Sequence, residues 1–356
     1  MAHALRLAQR GLYTTDPNPR VGCVLVQGNQ VVGEGWHERA GEAHAEIHAL
    51  RAAGKHACGA TAFITLEPCS HHGRTPPCSV ALIEAKIARA LVAMPDPNPK
   101  VSGAGVEALR QAGIEVEVGL LQRQAEALNP GFISRMRSGR PFVRAKVAAS
   151  LDGRTATRSG ESKWITGEAA RLDVQQWRAR SSAIMTGIET VLKDDPRLSV
   201  RTIASKRQPL RIVIDSRLRM SPQAALIADG AQVLLATCAN DDEHAERLRA
   251  RGVEVLRVPG EQGRVSLPAL MQQLAAREIN EVLLESGATL AGAMLQANLV
   301  DELIVYLAPC LLGSEAQGMF KLPELIRLQD RVRLEIQDMR TIGDDWRIVA
   351  SVRSEE

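Results

Sequence analysis

Apolar positions along the chain switch between a helical and a strand period, and the switching predicts the architecture. Ala4, Leu5, Leu7 and Ala8 lie at helical spacing, and Gly11 ends that segment. Val21–Val26 and Val31–Gly35 are β-rich runs joined by Gln27-Gly28-Asn29-Gln30, the pattern of a hairpin. Glu42–Ala53 reads as a helix stopped by Gly54, and Thr61–Leu66 as a strand. Pro76-Pro77 open a helix that runs to about Lys86. Ala90–Met94, Val106–Ala112, Ile114–Val118 and Gln122–Arg137 continue as strand, helix, strand and helix. The pattern then breaks at Ser138-Gly139-Arg140-Pro141, and a second series begins. Phe142–Ala149, Ser182–Gly187, Arg211–Asp215, Gln232–Ala236, Val253–Val258, Glu281–Glu285 and Glu302–Leu307 read as strands. Helices fall at Gly167–Arg180, Asp242–Arg251, Leu267–Arg277 and Thr289–Ala297. The expected organisation is two α/β domains, 1–139 and 142–356, the second with roughly eight strands.

Composition narrows the classes of function. A chain of 356 residues with 45% apolar content can bury a core in each domain. The formal charge of +3 is spread along the chain, and 3% of residues are aromatic. Neither a basic stripe nor a stacking platform for nucleic acid is expected. No run reaches the ~18 apolar residues of a membrane span, and Met1 to Arg10 lacks the apolar core of a signal peptide. Six scattered cysteines are not a disulfide framework, so a reducing, cytoplasmic setting is expected.

The chemistry concentrates between His44 and Cys78. His44, Cys69 and Cys78 are one imidazole and two thiols, and Glu46 is a carboxylate not needed as a ligand. Three protein ligands leave the fourth position of a tetrahedral zinc open, as catalysis requires. Cys69 is expected after a strand and Cys78 in a helix's first turn, where unpaired N–H groups favour a thiolate. His44 and Glu46 would stand about 200° apart on a regular helix. Both can address one metal only if His44 precedes the regular turns. Pairing His44 with His48 approximates a zinc-protease His-Glu-x-x-His, but Ala45 stands where the glutamate belongs. His48 reads better as a packed residue. A His-x-Glu followed by Pro-Cys and a further Cys is close to the signature of zinc-dependent base deaminases. The difference is eight residues between the cysteines instead of two. Zinc lowers the pKa of a water to about 7. Glu46 would take the proton as general base and return it to a leaving amino group as general acid.

Asn18-Pro19, Val21-Gly22, His44-Ala45-Glu46 and Glu67-Pro68-Cys69-Ser70-His71-His72-Gly73-Arg74-Thr75-Pro76-Pro77-Cys78 resemble the bifunctional deaminase/reductase family of riboflavin biosynthesis. The resemblance continues through Lys146-Val147-Ala148-Ala149-Ser150-Leu151-Asp152-Gly153-Arg154, Ser162-Lys163-Trp164-Ile165-Thr166, 187–198 and Glu285-Ser286-Gly287. It covers essentially the whole chain. It implies a cytidine-deaminase-like α/β/α domain followed by a dihydrofolate-reductase-like α/β domain. The implied first step is zinc-dependent hydrolytic deamination of 2,5-diamino-6-ribosylamino-4(3H)-pyrimidinone 5′-phosphate. The implied second step is NADPH-dependent reduction of the ribosyl side chain, giving 5-amino-6-ribitylaminouracil 5′-phosphate. A homo-oligomer, dimer or tetramer, is also implied.

By the same resemblance Asn18 and His37 line the pyrimidine pocket, and His71, Arg74 and Thr75 hold the ribose phosphate. Ala148, Trp164, Thr190, Asp194, Ser216 and Gly287 would contact NADPH. Ser162, Arg178, Leu198 and Arg201 would hold the substrate, both arginines being suited to its phosphate. Lys146 and Glu285 would flank the reacting end. Glu285-Ser286-Gly287 ends a strand just before a helix, where free N–H groups could face a pyrophosphate. Ser286 departs from the family, which often has a glycine there. Members also tend to have several more residues before the first helix, so either that helix is short here or the start lies upstream of Met1. Arg217 and Arg219 suit either the 2′-phosphate of NADPH or a solvated loop. No Gly-x-Gly-x-x-Gly follows a strand, so a Rossmann domain is not expected.

Two other classes compete. A nucleic-acid base deaminase would want the basic stripe and aromatics that this chain lacks. A zinc-stabilised binding protein would use four protein ligands and give Glu46 no role.

Overall fold

A glycine turn and a glycine groove build the first part of the chain. Strands β1 (Gly22–Gln27) and β2 (Gln30–Trp36) pair antiparallel across a turn in which Gly28 takes φ 58°, a value that favours glycine. Along β2, Gly33 and Gly35 point to one face, and helix α2 (Ala45–Ala53) lies there. A Cβ on Gly33 would fall 2.2 Å from the carbonyl oxygen of Ala49, and one on Gly35 would fall 2.5 Å from that of Ala45. The helix backbone therefore rests directly on the strand, and its inner face is Ala45, Ala49 and Ala53, all buried.

The computed structural model describes residues 1–70, 77–99, 101–203, 207–228 and 230–353. His71, Arg74 and Thr75 lie outside the described residues. Two units are formed, Met1–Arg140 and Pro141–Glu356. The first adds α1 (Ala2–Gln9), β3 (Thr61–Ile64), α3 (Cys78–Glu84), β4 (Arg89–Val92), α4 (Ala104–Gln111) and β5 (Glu115–Val118). It closes with α5 (Gln122–Leu128) and α6 (Pro130–Ser138). Its sheet runs β2-β1-β3-β4-β5; β1 is antiparallel to β2 and β3, and β3, β4 and β5 are parallel. Leu25, Ile64, Leu82 and Leu109 fill the core between sheet and helices. The single helix expected over Gln122–Arg137 is two. Pro130 has no N–H and disfavours helical geometry at Asn129, which takes φ −125° and ψ 38°. Pro130 instead opens the second helix.

The second unit begins with β6 (Phe142–Ser150), β7 (Arg154–Ala156), α7 (Glu168–Arg180), β8 (Ala183–Gly187), α8 (Ile188–Asp194) and β9 (Leu210–Ile214). It continues with β10 (Val233–Thr237), α9 (Asp242–Arg249), β11 (Val253–Arg257), α10 (Leu267–Ala276), β12 (Glu281–Leu284) and α11 (Ala288–Gln296). It ends with β13 (Glu302–Ala308), β14 (Gln317–Gly318), β15 (Arg333–Ile342) and β16 (Asp345–Arg353). Nine strands form one sheet in the order β11-β10-β9-β8-β12-β6-β13-β16-β15. The first seven are parallel, and the β15–β16 hairpin adds antiparallel to β13. Alternate residues serve opposite faces: Met185 packs with α10 and α11, and Ile184 with α7. The parallel strands end at one edge, where an open α/β sheet places its ligands. No helix among the described residues is long and apolar enough to cross a membrane.

Replacing Gly35 by alanine drives a methyl into the Ala45 carbonyl and the His48 side chain. The variant should lose roughly 1–3 kcal/mol of stability, read from urea unfolding of the chain. An unchanged midpoint would mean that α2 can move off β2 without cost.

Candidate active sites

The first site starts from the way α2 begins. His44 is the residue before its first turn, with extended φ −76° and ψ 165°. Its imidazole is thus not bound to the helical spiral that Glu46 follows. His44 Nδ1 lies 3.3 Å from Cys78 Sγ and 3.7 Å from Cys69 Sγ. The three donor atoms are all within 4.8 Å of one another. Cys69 follows β3, and Cys78 opens α3. The Cys78 N–H donates to Cys69 Sγ at 3.2 Å. Ser79 donates its N–H and its hydroxyl to the Cys69 carbonyl at 3.2 and 3.1 Å. The start of α3 is therefore a clamp around Cys69.

The donors share protons in a revealing way. A hydrogen bond from the Cys78 thiol holds Cys69 down to about 4, against the opposing effect of burial, and His44 adds to the lowering. The same contact and burial push Cys78 far up. The bond to Cys69 raises His44. One nitrogen and two sulfurs held this close are the donor chemistry of zinc rather than of magnesium or calcium. His48 is not part of the donor group, and its Nε2 has no partner among the described residues.

Glu46 is 3% exposed, and its Oε2 has no hydrogen-bond partner among the described residues. A buried polar atom without a partner is costly and calls for a ligand or a chemical role. Burial pushes its carboxyl up to about 7, although His44 pulls the other way. Beside it, His37 and His44 meet edge to face with ring centres 5.3 Å apart. His37 Nδ1 lies 3.1 Å from the Ala43 carbonyl, so it must donate there. Its Nε2 is then left to accept from Asn18 Nδ2, also at 3.1 Å. Burial lowers the pKa of His37, in keeping with a neutral ring. Asn18 and His37 are thus brought beside the candidate donor group, whereas His71, Arg74 and Thr75 lie outside the described residues.

The second site is a cavity of about 1480 Å³ in the second unit. Lys146, Ala148, Ser162, Trp164, Arg178, Thr190, Asp194, Leu198, Arg201, Ser216, Glu285 and Gly287 all line it. Lys146 and Ala148 are alternate residues of β6; Ser216 follows β9, and Glu285 follows β12. Thr190 and Asp194 come from α8. Gly287 caps α11, and Ala288 and Thr289 in its first turn line the wall, where N-terminal N–H groups suit an anion. Ser216 Oγ accepts the Val265 N–H at 3.1 Å, which leaves its own hydrogen free to donate. Asp194 meets Lys163 Nζ at 3.1 Å. Trp164 is 72% exposed, with the Arg171 guanidinium 4.7 Å from its ring centre.

Glu285 organises one end of this cavity. Arg178 Nε and Nη2 donate to its two oxygens at 2.6 and 3.0 Å, and Lys146 Nζ is 3.5 Å away. Burial alone would raise the Glu285 carboxyl, but Arg178 and Lys146 outweigh it and hold it at about 2. Arg178 Nη1 also donates to the Ser199 carbonyl at 3.1 Å. Its fork thus faces a carboxylate, whereas Arg201 has no side-chain hydrogen bond or ion pair among the described residues. Arg219 pairs with Glu189. Arg264, Gln262 and Tyr306 also line the cavity. They were not singled out in the sequence because they fall in a loop and mid-strand, with no motif to mark them.

Comparison with known proteins places the chain in a family. Residues 1–94 match the family model of the cytidine and deoxycytidylate deaminase zinc-binding region, and residues 141–348 match that of the RibD C-terminal domain. The chain is 52% identical to the riboflavin biosynthesis protein RibD of Escherichia coli K12, over 97% of this chain and 96% of the other. For the Haemophilus influenzae protein of the same name the identity is 48%, over 98% and 95%. The solved structure of Acinetobacter baumannii RibD has 46% identity and a TM-score of 0.92, covering 99% of this chain and 98% of the other. A deaminase/reductase from Thermotoga maritima has 32% identity and a TM-score of 0.87, covering 99% and 97%. The chain therefore belongs to the RibD family, whose members join a zinc-dependent deaminase to an NADP-dependent reductase in the biosynthesis of riboflavin.

Proposed function

We propose that His44, Cys69 and Cys78 hold the zinc and that Glu46 moves the proton of the deamination. The observation that carries this is a buried, partnerless Glu46 oxygen beside a three-donor group. When bound, zinc supplies a Lewis acid that makes a water acidic near neutrality. Glu46 Oε2 takes a proton from the attacking water and delivers it to the departing amino nitrogen. A carboxyl near 7 suits both halves of that transfer. Asn18 and the neutral His37 orient the pyrimidine, and Arg74, Thr75 and His71 take its ribose phosphate. Glu46→Gln should keep one zinc per chain and normal reduction of the deaminated intermediate, while ammonia release falls by about 10²–10⁴-fold. Undiminished ammonia release would overturn the assignment.

In the second unit the cavity takes NADPH against Ala148, Trp164, Thr190, Asp194, Ser216 and Gly287. It takes the substrate against Ser162, Leu198 and Arg201. NADPH, when bound, supplies a hydride. Reduction of the ribosyl group would require a hydride at its anomeric carbon and a proton on the ring oxygen released from that carbon. Glu285, held as a carboxylate, has no proton to give; the Lys146 ammonium beside it does. Arg178 serves the substrate through Glu285, and Arg201 is the arginine left open to the phosphate. The Glu285 carboxyl lies below its ordinary 4.5 in the folded chain. Its contribution to stability is therefore full above about 4.5 and is lost as pH falls toward about 2. Between these values the urea midpoint should fall as pH is lowered in the parent chain, and fall less steeply with pH in Glu285→Gln. Equal slopes would show that the pairing does not persist in solution.

The free cysteines are in keeping with a reducing cytoplasm. Self-association through β15 is part of the same reading. This ten-residue strand is the outer edge of the sheet and exposes Leu334, Ile336 and Met339. An edge with free backbone groups and apolar side chains invites an antiparallel second copy. Sedimentation should show a dimer or tetramer, and Ile336→Lys should shift it toward monomer. A parent chain that is monomeric at micromolar concentration would refute this.

A further inference from the structure

Glu67 is a buried carboxylate that the deamination chemistry does not use. It is 3% exposed and stands two residues before Cys69. Four backbone N–H groups donate to it. Oε2 accepts those of Asp96 and Gly103, each at 3.0 Å. Oε1 accepts those of Gly105 at 2.9 Å and Val106 at 3.2 Å. Gly103 caps α4 and has no side chain to satisfy the helix's first N–H groups. Glu67 does so for Gly105 and Val106 from 38 and 39 residues away. The contact is close on the backbone as well, since a Cβ on Gly105 would lie 2.0 Å from the Pro68 carbonyl oxygen.

We propose that Glu67 is a positioning residue for the metal: by locking the strand end onto α4, it fixes the place of the Cys69 thiolate. Only Pro68 separates the two residues, and its ring removes one soft torsion from the link. The far side of Cys69 is held by Ser79 and the Cys78 N–H. Cys69 is thereby set between two helix starts, with Glu67 fixing one of them. An acceptor-only group is required, because all four neighbours are donors. A glutamine would turn an amide NH₂ toward two of them.

This rests on His44, Cys69 and Cys78 being the zinc ligands, so Cys69→Ala is run beside the test variant. Zinc affinity of the full chain is measured by chelator competition, and the cobalt-substituted chain by its thiolate charge-transfer and ligand-field absorption. In Glu67→Gln the zinc dissociation constant should rise about 10–100-fold, as for other groups that orient metal ligands. The cobalt spectrum should shift, and kcat for deamination should fall more than KM rises. Reduction of the deaminated intermediate should be unchanged, which also reports a folded chain. If Glu67→Gln does not fold, Glu67→Asp carries the test, because it keeps the charge but withdraws it by one methylene. Parental zinc affinity and cobalt spectrum in the folded variant would overturn the proposal. Retention of zinc by Cys69→Ala would instead overturn the ligand assignment.

Discussion

The deaminase unit depends on how closely a helix can approach a strand. Two glycines in alternate positions of β2 let the α2 backbone touch the sheet, with Ala45, Ala49 and Ala53 along the helix's inner face and His48 beside Gly35. That contact fixes the height and rotation of the helix. His44 sits at its mouth and Glu46 in its first turn. A side chain at either glycine would move both groups relative to Cys69 and Cys78, which are held by other elements. Backbone packing thus sets where His44 and Glu46 stand, and polar contacts hold Cys69.

Three buried glutamates show how surroundings divide labour among identical side chains. Glu46 is buried without a full set of partners, and its carboxyl rises into the range useful for proton transfer. Glu285 is buried against two cations and stays ionised. Glu67 is buried against four N–H donors and acts as mechanical anchorage. Burial costs each carboxylate its hydration. What replaces the water decides whether the group works as an acid, a counter-ion or a tether.

The sequence exposed some of this and concealed the rest for physical reasons. The β1–β2 hairpin was legible because two β-rich runs, Val21–Val26 and Val31–Gly35, flank a glycine-containing turn. The convergence of His44, Cys69 and Cys78 was legible because few chemistries call for a histidine, two cysteines and a spare glutamate at such spacing. The break at Pro130 was hidden under helical spacing that continues through Ala125, Leu128 and Phe132. The β15–β16 hairpin was hidden because β15 is almost wholly exposed and its register shifts between Ile336 and Asp338. The reductase cavity draws on residues from 146 to 319 that meet only because parallel strands end at one edge. No local pattern could assemble it, and the residues that the resemblance named are found along its wall. Resemblance named Arg178 as a substrate contact, but only coordinates reveal that its fork closes on Glu285.

Asn129, at the junction between α5 and α6, bears on how much chain the deaminase needs. Its side chain accepts the Arg20 N–H at 2.8 Å and donates to the Arg20 carbonyl at 3.0 Å, while Arg20 Nη1 reaches the Leu128 carbonyl at 2.6 Å. An amide that satisfies both backbone groups of one residue acts as a strand partner one residue long. It closes a loop of 109 positions and pins the segment that presents Asn18. The zinc-binding family match ends at residue 94, but the segment that carries Asn18 is fastened at residue 129. A chain cut at residue 94 would keep His44, Cys69 and Cys78 yet lose the tie that holds the Asn18 segment.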